Sequence, residues 1–295
     1  RYTVRITNPD GQIASAAVLR VLPGTPVATI AASTSLAEGN AGTTGFDFTV
    51  NLSSPAVSNV VVRYQTSDGT ATVADADYLA ETDSITILSG ASSGTITIAA
   101  NGDTKYEANE TFSVTLTSAT NATLGATVLA NGTIQNDDAA PAASVNDVSQ
   151  LEGDSGSSSF TFTISLAQAS GLPASVDWAA ANGTATTADN DYAAASGTVS
   201  FAPGETSKPV VVSVAGDTLH EADETFGVAL TNPTGATLGT TPGTGTIQND
   251  DVAPVFSIDN VALAEGDAGT TAFGFTVSLS EKSGAPVTVD FATTD

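Results

Sequence analysis

The feature that most constrains this chain is an internal repeat whose acidic positions recur at a fixed interval. Residues 101–112 read NGDTKYEANETF and residues 215–226 read AGDTLHEADETF, and GTIQNDD occurs at residues 132–138 and again at 245–251. Three acidic pairs are each separated by 114 residues: Glu38 and Glu152, Asp77 and Asp191, and Glu110 and Glu224. Such a period indicates tandem copies of one structural unit. Because carboxylates recur most faithfully, the unit has the pattern of a cation-binding module.

Composition and charge exclude several classes of protein. The 295 residues are 41% hydrophobic, enough for packed cores, and contain 7 basic against 32 acidic side chains, a net charge of −25. A field of this sign repels phosphate backbones, so nucleic acid is excluded as a partner. No apolar run approaches the roughly 18 residues of a membrane span, so no membrane insertion is expected within these residues. The absence of cysteine excludes disulfides and thiolate metal sites.

The strand pattern predicts an all-β protein. Alternating apolar residues, such as Phe46, Phe48 and Val50 in one copy and Phe160, Phe162 and Ile164 in the other, form about seven short strands per repeat, without helical periodicity. This predicts tandem immunoglobulin-like Greek-key β-sandwiches arranged as a rod. The expected divisions are a C-terminal hairpin of an immunoglobulin-like domain with its linker (1–26), module one (27–138), a linker (139–141), module two (142–251), a linker (252–254) and a truncated third module (255–295).

The first 26 residues have the pattern of a hairpin followed by a linker. Val4 and Ile6 are expected to point inward, the tip is expected at residues 8–11, and Tyr2 stands where a tyrosine corner would be. Because the chain starts at Arg1, contains no methionine and stops inside the third copy, we expect a fragment of a longer protein.

The carboxylates of each module are dispersed in sequence but fall at strand ends and in loops. In a Greek-key sandwich alternate loops gather at one end, so these side chains are expected to converge. Seven carboxylates together repel one another unless a cation lies among them. Ca²⁺ fits best because it takes six to eight oxygen ligands, whereas Zn²⁺ and copper prefer His or Cys and Mg²⁺ retains its waters.

Four motifs in order carry a family resemblance: L-x-E-G, G-T-A-T-x-x-D-x-D-Y, G-D-T-x-x-E-x-x-E-T-F and G-T-I-x-N-D-D. With both complete modules and the start of a third, the chain resembles the Calx-beta family, which includes the calcium-sensing domains of sodium–calcium exchangers and strings of modules in large bacterial surface proteins. The resemblance implies an immunoglobulin-like sandwich with calcium ions at its distal loops.

Carried over position by position, the resemblance implies one ligand set for each module, with a backbone carbonyl at Lys105 and at Leu219. The implied calcium ligands are Glu38, Asp77, Asp103, Lys105, Glu107, Glu110, Asp137 and Asp138 in module one, Glu152, Asp191, Asp217, Leu219, Glu221, Glu224, Asp250 and Asp251 in module two, and Glu265 in the third.

The chain departs from the exchanger pattern at two positions in each module. The exchanger domains carry a further Asp just before two of the ligand positions, where this chain has Gly102 and Asn136 in module one and Gly216 and Asn249 in module two. Fewer charges imply fewer ions or weaker binding, which suits millimolar extracellular calcium.

Catalytic interpretations are weaker. The GDSG at residues 153–156 resembles the surroundings of a nucleophilic serine, but the matching turns lack the serine, and the single histidine, His220, follows it and is expected to be an exposed loop residue. Paired carboxylates also occur in glycoside hydrolases, but a catalytic centre repeated in successive modules is unexpected. We therefore predict no catalytic residue, no organic cofactor and no enzymatic activity.

The favoured hypothesis is a calcium-binding, structural and adhesive segment of a large, bacterial, extracellular or cell-surface protein. Calcium at the distal loops would stiffen the joints, with neighbouring modules and unidentified cell-surface or matrix ligands as partners. Two alternatives stay open: calcium-sensor domains of a membrane protein, and spacer modules of an extracellular enzyme whose catalytic domain lies elsewhere.

Overall fold

A computed structural model describes residues 2–7, 9–10, 13–19, 24–31 and 33–295, and it divides into two units, Arg1–Ala139 and Ala140–Asp295. The regular secondary structure of the described residues consists of strands. Those of the first unit are β1 (Tyr2–Thr7), β2 (Ile13–Leu19), β3 (Val27–Ile30), β4 (Thr34–Ala37), β5 (Thr43–Leu52), β6 (Val60–Asp68), β7 (Thr82–Ile87), β8 (Ser93–Asn101), β9 (Glu110–Thr120), β10 (Thr123–Leu124) and β11 (Leu129–Gln135).

The second unit repeats the order of strands found in module one. Its strands are β12 (Ala142–Val145), β13 (Val148–Leu151), β14 (Gly156–Leu166), β15 (Ala174–Asn182), β16 (Ser196–Phe201), β17 (Ser207–Gly216), β18 (Glu224–Thr234), β19 (Thr237–Leu238), β20 (Gly243–Gln248), β21 (Phe256–Ile258) and β22 (Val277–Leu279).

Each module is a sandwich of a four-stranded and a five-stranded sheet. In module one the sheet orders are β10-β3-β5-β8 and β4-β11-β9-β6-β7, and in module two they are β17-β14-β12-β19 and β13-β20-β18-β15-β16. Apolar side chains of both sheets meet between them in one core per module. The prediction of tandem all-β sandwiches is therefore confirmed.

The core follows from the period-2 pattern of the strands, because alternate side chains of a strand face opposite sides of its sheet. Along β5 the burial alternates over its second half, with Phe46, Phe48 and Val50 at most 1% exposed. The rings of Phe46 and Phe48 pack edge-on against Phe112 of the opposite sheet, with centroids 5.6 and 6.0 Å apart. This packing joins the two sheets at the end where the acidic loops emerge.

A glycine in the GTIQNDD motif makes this packing possible. A side chain at Gly132 would collide with the ring of Phe112, and one at Gly245 would collide with the ring of Phe226. The recurring glycine therefore lets a core phenylalanine lie flat against the neighbouring strand.

Parallel strand pairs bring the acidic positions to one end of each sandwich. β4 runs parallel to β11 with Ala37 opposite Gln135, so the residues that follow both strands leave the sheet side by side. β13 and β20 repeat this arrangement with Leu151 opposite Gln248. The L-x-E-G and N-D-D motifs, about 100 residues apart in sequence, therefore become neighbours.

The ends of the chain match the sequence expectations only in part. β1 and β2 pair antiparallel, as a hairpin requires, but the predicted inward orientation of Val4 and Ile6, the tyrosine-corner role of Tyr2 and part of the predicted tip lie outside the described side chains and residues.

In the third segment only β21 and β22 form. Phe273 and Phe275, which match Phe46 and Phe48 of module one in the repeat, lie outside both strands and are 45% and 53% exposed.

Within the described part of the chain, the model contains no helix that is long and apolar enough to cross a lipid bilayer.

Candidate metal centre

The carboxylates of each module form two groups at one end of the sandwich. We call Glu38, Asp103 and Asp138 the exit cluster of module one, and Asp77, Glu107 and Glu110 its loop cluster; in each group the carboxylate oxygens lie within 4.8 Å of one another. The sequence predicted that seven carboxylates converge, and in the structure six of them form two triads.

Module two has the same two groups with one exchange of members. Its exit cluster is Glu152, Asp250 and Asp251 and its loop cluster is Asp191, Glu221 and Glu224, with the same 4.8 Å separation. The loop cluster and Glu152 of the exit cluster border a polar cavity of about 120 Å³, which Asp217 and Leu219 also line.

Asp137 and Asp217 lie beside the exit clusters without joining the triads. Oδ1 of Asp137 accepts a hydrogen bond from the backbone N–H of Gly39 at 3.2 Å, and its charge raises the pKa of Glu38. Oδ1 of Asp217 accepts from the backbone N–H of Leu219 at 2.6 Å, and its charge raises the pKa of Glu152. Both therefore contribute negative charge and fix a loop.

Glu265 joins no carboxylate cluster in the described part of the chain, and its side chain is exposed.

Buried tyrosines fix the loops that carry Asp77 and Asp191. The ring of Tyr78 stacks on Phe112 with centroids 4.8 Å apart, and Tyr192 stacks on Phe226 at 4.7 Å. The Tyr78 hydroxyl donates to Oδ1 of Asp68 at 2.7 Å. Because each tyrosine directly follows the cluster aspartate, the core determines where that carboxylate lies.

Burial and mutual repulsion raise the proton affinity of four cluster glutamates. The pKa of Glu38 and that of Glu152 rise to about 7, first through burial and then through the surrounding carboxylates. The pKa of Glu110 and that of Glu224 also rise to about 7, through burial and the charges of Asp77 and Asp191. Without a cation, the folded module therefore accommodates its full negative charge poorly.

The residues present fit a hard divalent cation. Oδ2 of Asp138 and Oδ2 of Asp251 are buried and have no hydrogen-bond partner in the described structure, although a buried carboxylate oxygen without a partner is costly. The clusters contain only oxygen donors, the set that Ca²⁺ prefers, and neither cysteine nor histidine belongs to them. The unpartnered oxygens are the second indication, after clustering, that a cation belongs here.

Asn136 and Asn249 stand where the exchanger domains carry an aspartate, and their amides organise the site. Oδ1 of Asn136 accepts from the backbone N–H of Glu107 at 3.0 Å, and Nδ2 donates to the carbonyl of Asp138 at 3.0 Å. Asn249 makes the equivalent bonds to Glu221 and Asp251, at 2.9 and 3.1 Å. Each amide oxygen thus holds the acidic loop against the end of the last strand. The amide nitrogen bonds the carbonyl two residues later, which requires a donor that aspartate lacks.

The other departure from the exchanger pattern, a glycine in place of an aspartate, has a steric reason. A side chain at Gly102 would collide with the carbonyl oxygen of Gly39, and one at Gly216 with that of Gly153. An aspartate therefore does not fit at this position without moving the turn after β4 or β13.

Three further residues belong to the surroundings of the site. Asp75 and Asp189, the first aspartates of the D-x-D-Y motifs, raise the pKa of Glu110 and of Glu224. The repetition of these aspartates in both copies was the signal that could have identified them. His220, expected to be exposed, is half-buried, and its Nδ1 lies 3.1 Å from the carbonyl oxygen of Asp251.

The fold and the site define a class of protein: tandem β-sandwiches that each carry paired carboxylate clusters at one end. The Calx-beta domain family model matches residues 29–139 and 147–251. The chain therefore belongs to the Calx-beta domain family, and the resemblance seen in the sequence is confirmed.

Comparison with solved structures finds similar chains among Calx proteins. The crystal structures of CBD12 from CALX1.2 and of the calcium binding domain CBD12 of CALX1.1 are each 20% identical with a TM-score of 0.36, and the match covers 70% of this chain and 80% and 79% of those chains. The apo form of the Calx CBD1 domain is 25% identical with a TM-score of 0.32, covering 37% of this chain and 98% of that one. A comparison with curated proteins gives no match.

Proposed function

We propose that modules one and two bind calcium at their exit and loop clusters and act as structural modules of an extracellular or cell-surface protein. The observation that carries this proposal is the repetition, in both modules, of a buried aspartate oxygen without a hydrogen-bond partner beside a carboxylate cluster. Membership of the Calx-beta domain family supports it.

The residues that would hold calcium are the two triads of each module, with Asp137 and Asp217 beside them. Bound calcium supplies positive charge that offsets the repulsion which, after burial, raises the pKa of Glu38 and Glu152. The backbone carbonyls of Lys105 and Leu219 would each supply a further oxygen ligand.

The exit clusters explain how binding would stiffen the chain. Asp138 and Asp251 follow the last strands of their modules, while Glu38 and Glu152 follow β4 and β13. Neutralising these carboxylates holds the end of the last strand against the rest of its module, so less of the chain between modules is free to bend. A rod-like, adhesive segment is the biological role that this stiffening would serve.

Calorimetric titration of the whole chain tests calcium binding. We expect dissociation constants of about 10⁻⁴–10⁻³ M, as for extracellular modules, whereas values of about 10⁻⁷–10⁻⁵ M would favour the sensor alternative. At 10 mM calcium and a constant of about 0.1 mM, binding contributes about 2.7 kcal/mol per site to stability. Identical melting curves in calcium and in chelator would refute the proposal.

A matched pair of variants assigns binding to the clusters of module two. Glu224→Gln removes a charge from the loop cluster and should abolish or strongly weaken binding in module two. Glu205→Gln removes the same charge from the turn between β16 and β17, where Glu205 pairs with Lys208 on the surface. Equal calcium affinity in both variants would contradict the assignment.

Distance measurements test the stiffening. Since the chain has no cysteine, exposed Thr95 and Ser200 can be replaced by cysteine and labelled with two spin labels. We expect a narrow distance distribution in calcium and a broad one in chelator. A broad distribution in both conditions would leave calcium binding intact but exclude its role in stiffening.

A further inference from the structure

The acidic loops of the two modules share a backbone arrangement but differ in one side chain beside the metal centre. Oδ1 of Asp103 accepts from the backbone N–H of Lys105 at 2.7 Å, and Oδ1 of Asp217 accepts from that of Leu219 at 2.6 Å. Lys105 and Leu219 therefore occupy matching places in the same turn. What distinguishes them is a positive charge in module one and an apolar side chain in module two.

The charge of Lys105 is directed at a member of the loop cluster. Its Nζ forms an ion pair with Oε1 of Glu107, whose side chain is only 16% exposed. The hydrogen bond to Glu107 and the charges of Glu107, Asp103 and Asp75 raise the pKa of the lysine. The ammonium group therefore stays protonated at neutral pH and partly neutralises the cluster.

Module two lacks this compensation. Leu219 lines the cavity that Glu221 and Glu224 also border. Among the described residues, Glu221 forms no ion pair. The loop cluster of module two thus retains negative charge that its counterpart in module one shares with a lysine.

We propose that Lys105 is a tethered cation that competes with the divalent ion for Glu107, so that module one binds calcium more weakly than module two. This inference rests on the proposed function, because it concerns the affinity of the same clusters. The competing ion pair is partly exposed and therefore weak, and it adds repulsion between the ammonium and the incoming ion. Together these effects correspond to a difference of about three- to tenfold in dissociation constant.

The lysine should also make the thermal stability of module one less dependent on calcium. In the metal-free chain its ammonium offsets part of the repulsion within the loop cluster, whereas module two has no such cation. Calcium should therefore raise the melting temperature of module two more than that of module one. This second readout does not depend on measuring affinity.

Reciprocal exchange of the two side chains in the whole chain tests the proposal. Lys105→Leu is measured in the Glu224→Gln background, where module one dominates binding. It should lower the calcium dissociation constant of module one about three- to tenfold. Leu219→Lys is measured in the Glu110→Gln background and should raise the calcium dissociation constant of module two by a similar factor. Lys105→Arg retains the charge and should change little. Lys208→Leu removes a lysine that pairs with Glu205 away from the clusters and should leave both affinities unchanged.

The outcomes separate this inference from the proposed function. Calcium binding that neither exchange alters would overturn the role of Lys105 while leaving the metal centres in place. Absence of calcium binding in every form of the chain would instead overturn the proposed function. If Lys105→Leu fails to fold, Leu219→Lys decides by itself, since an unchanged affinity in module two would refute the competition.

Discussion

Ser283 of the third segment forms an isolated parallel β-bridge with His220 of module two. The backbone N–H of Gly284 donates to the carbonyl of His220 at 3.2 Å, and the His220 ring lies 3.1 Å from the carbonyl of Asp251. The turn around Gly284 therefore packs against the loop that carries the neighbouring cluster residue, Glu221. This contact links the third segment to the candidate metal centre of module two.

A side chain at Gly284 should disturb that centre. A methyl group there would collide with the carboxylate of Glu221, which must then shift from its place in the loop cluster. We expect Gly284→Ala to weaken calcium binding in module two by roughly fivefold, near the low end of the coupling observed between linked sites. The measurement is calorimetric titration in the Glu110→Gln background. Gly274→Ala is the control, because a side chain at Gly274 meets nothing within 4 Å, and equal effects of the two variants would contradict the coupling.

The metal-free protein should lose stability as the pH rises. The pKa of Glu38, Glu110, Glu152 and Glu224 is about 7 in the folded chain against an ordinary value of 4.5. A carboxyl that holds its proton more tightly when folded stabilises the fold fully below pH 4.5 and loses that contribution as the pH passes through about 7. Melting temperatures in chelator should therefore fall between pH 5 and pH 8.

Calcium should reverse this trend, since its binding requires the deprotonated carboxylates. The same melting series in 10 mM calcium is expected to show a smaller fall or a rise. A chelator series in which the melting temperature increases from pH 5 to pH 8 would be inconsistent with the repulsion that we assign to the clusters.

Replacing the bridging asparagine by aspartate should destabilise module one. Asn136→Asp removes the amide donor to the carbonyl of Asp138 and adds a negative charge beside the exit cluster. Loss of this partly buried hydrogen bond should lower the free energy of unfolding of the metal-free chain by about 1–2 kcal/mol. Denaturant unfolding in chelator measures the effect. Asn51→Asp adds the same charge at an exposed position of β5, and a similar loss in that variant would point to net charge instead.

An alanine in the left-handed backbone region offers a stabilising substitution. Ala76 has a φ of 68° in the loop before Asp77, where module two has Asn190 with a φ of 73°. Asparagine tolerates this conformation better than alanine, which is disfavoured by roughly 1–2 kcal/mol. Ala76→Asn should therefore stabilise module one by up to about 1 kcal/mol. Asn190→Ala should destabilise module two by a comparable amount. Thermal unfolding measures both effects, and melting temperatures that change in the same direction in the two variants would contradict this explanation.

The repeat made much of the fold and of the candidate site predictable from the sequence. Alternating residues such as Phe46, Phe48 and Val50 can only be buried together if they lie on one face of a strand, and they are buried as expected. The recurring acids at strand ends predicted convergence at one end of each sandwich, because alternate loops meet there. The pattern did not show which of the acids group into triads, since that depends on the direction in which each loop leaves its strand.

What the sequence determined by itself was periodic: strand faces, module length, and which acids recur. Tertiary structure decided everything that depends on close approach between distant segments. Asn136 and Asn249 looked like lost charges, yet their amide oxygens accept hydrogen bonds from backbone N–H groups 29 and 28 residues away in the chain. Gly102 also looked like a lost charge, yet the carbonyl of Gly39 leaves no room for a side chain there. Lys105 looked like a backbone ligand alone, yet its ammonium pairs with Glu107. A periodic pattern records the local environment of each residue, whereas hydrogen bonds, steric exclusion and charge pairing across loops exist only once the strands have brought those loops together.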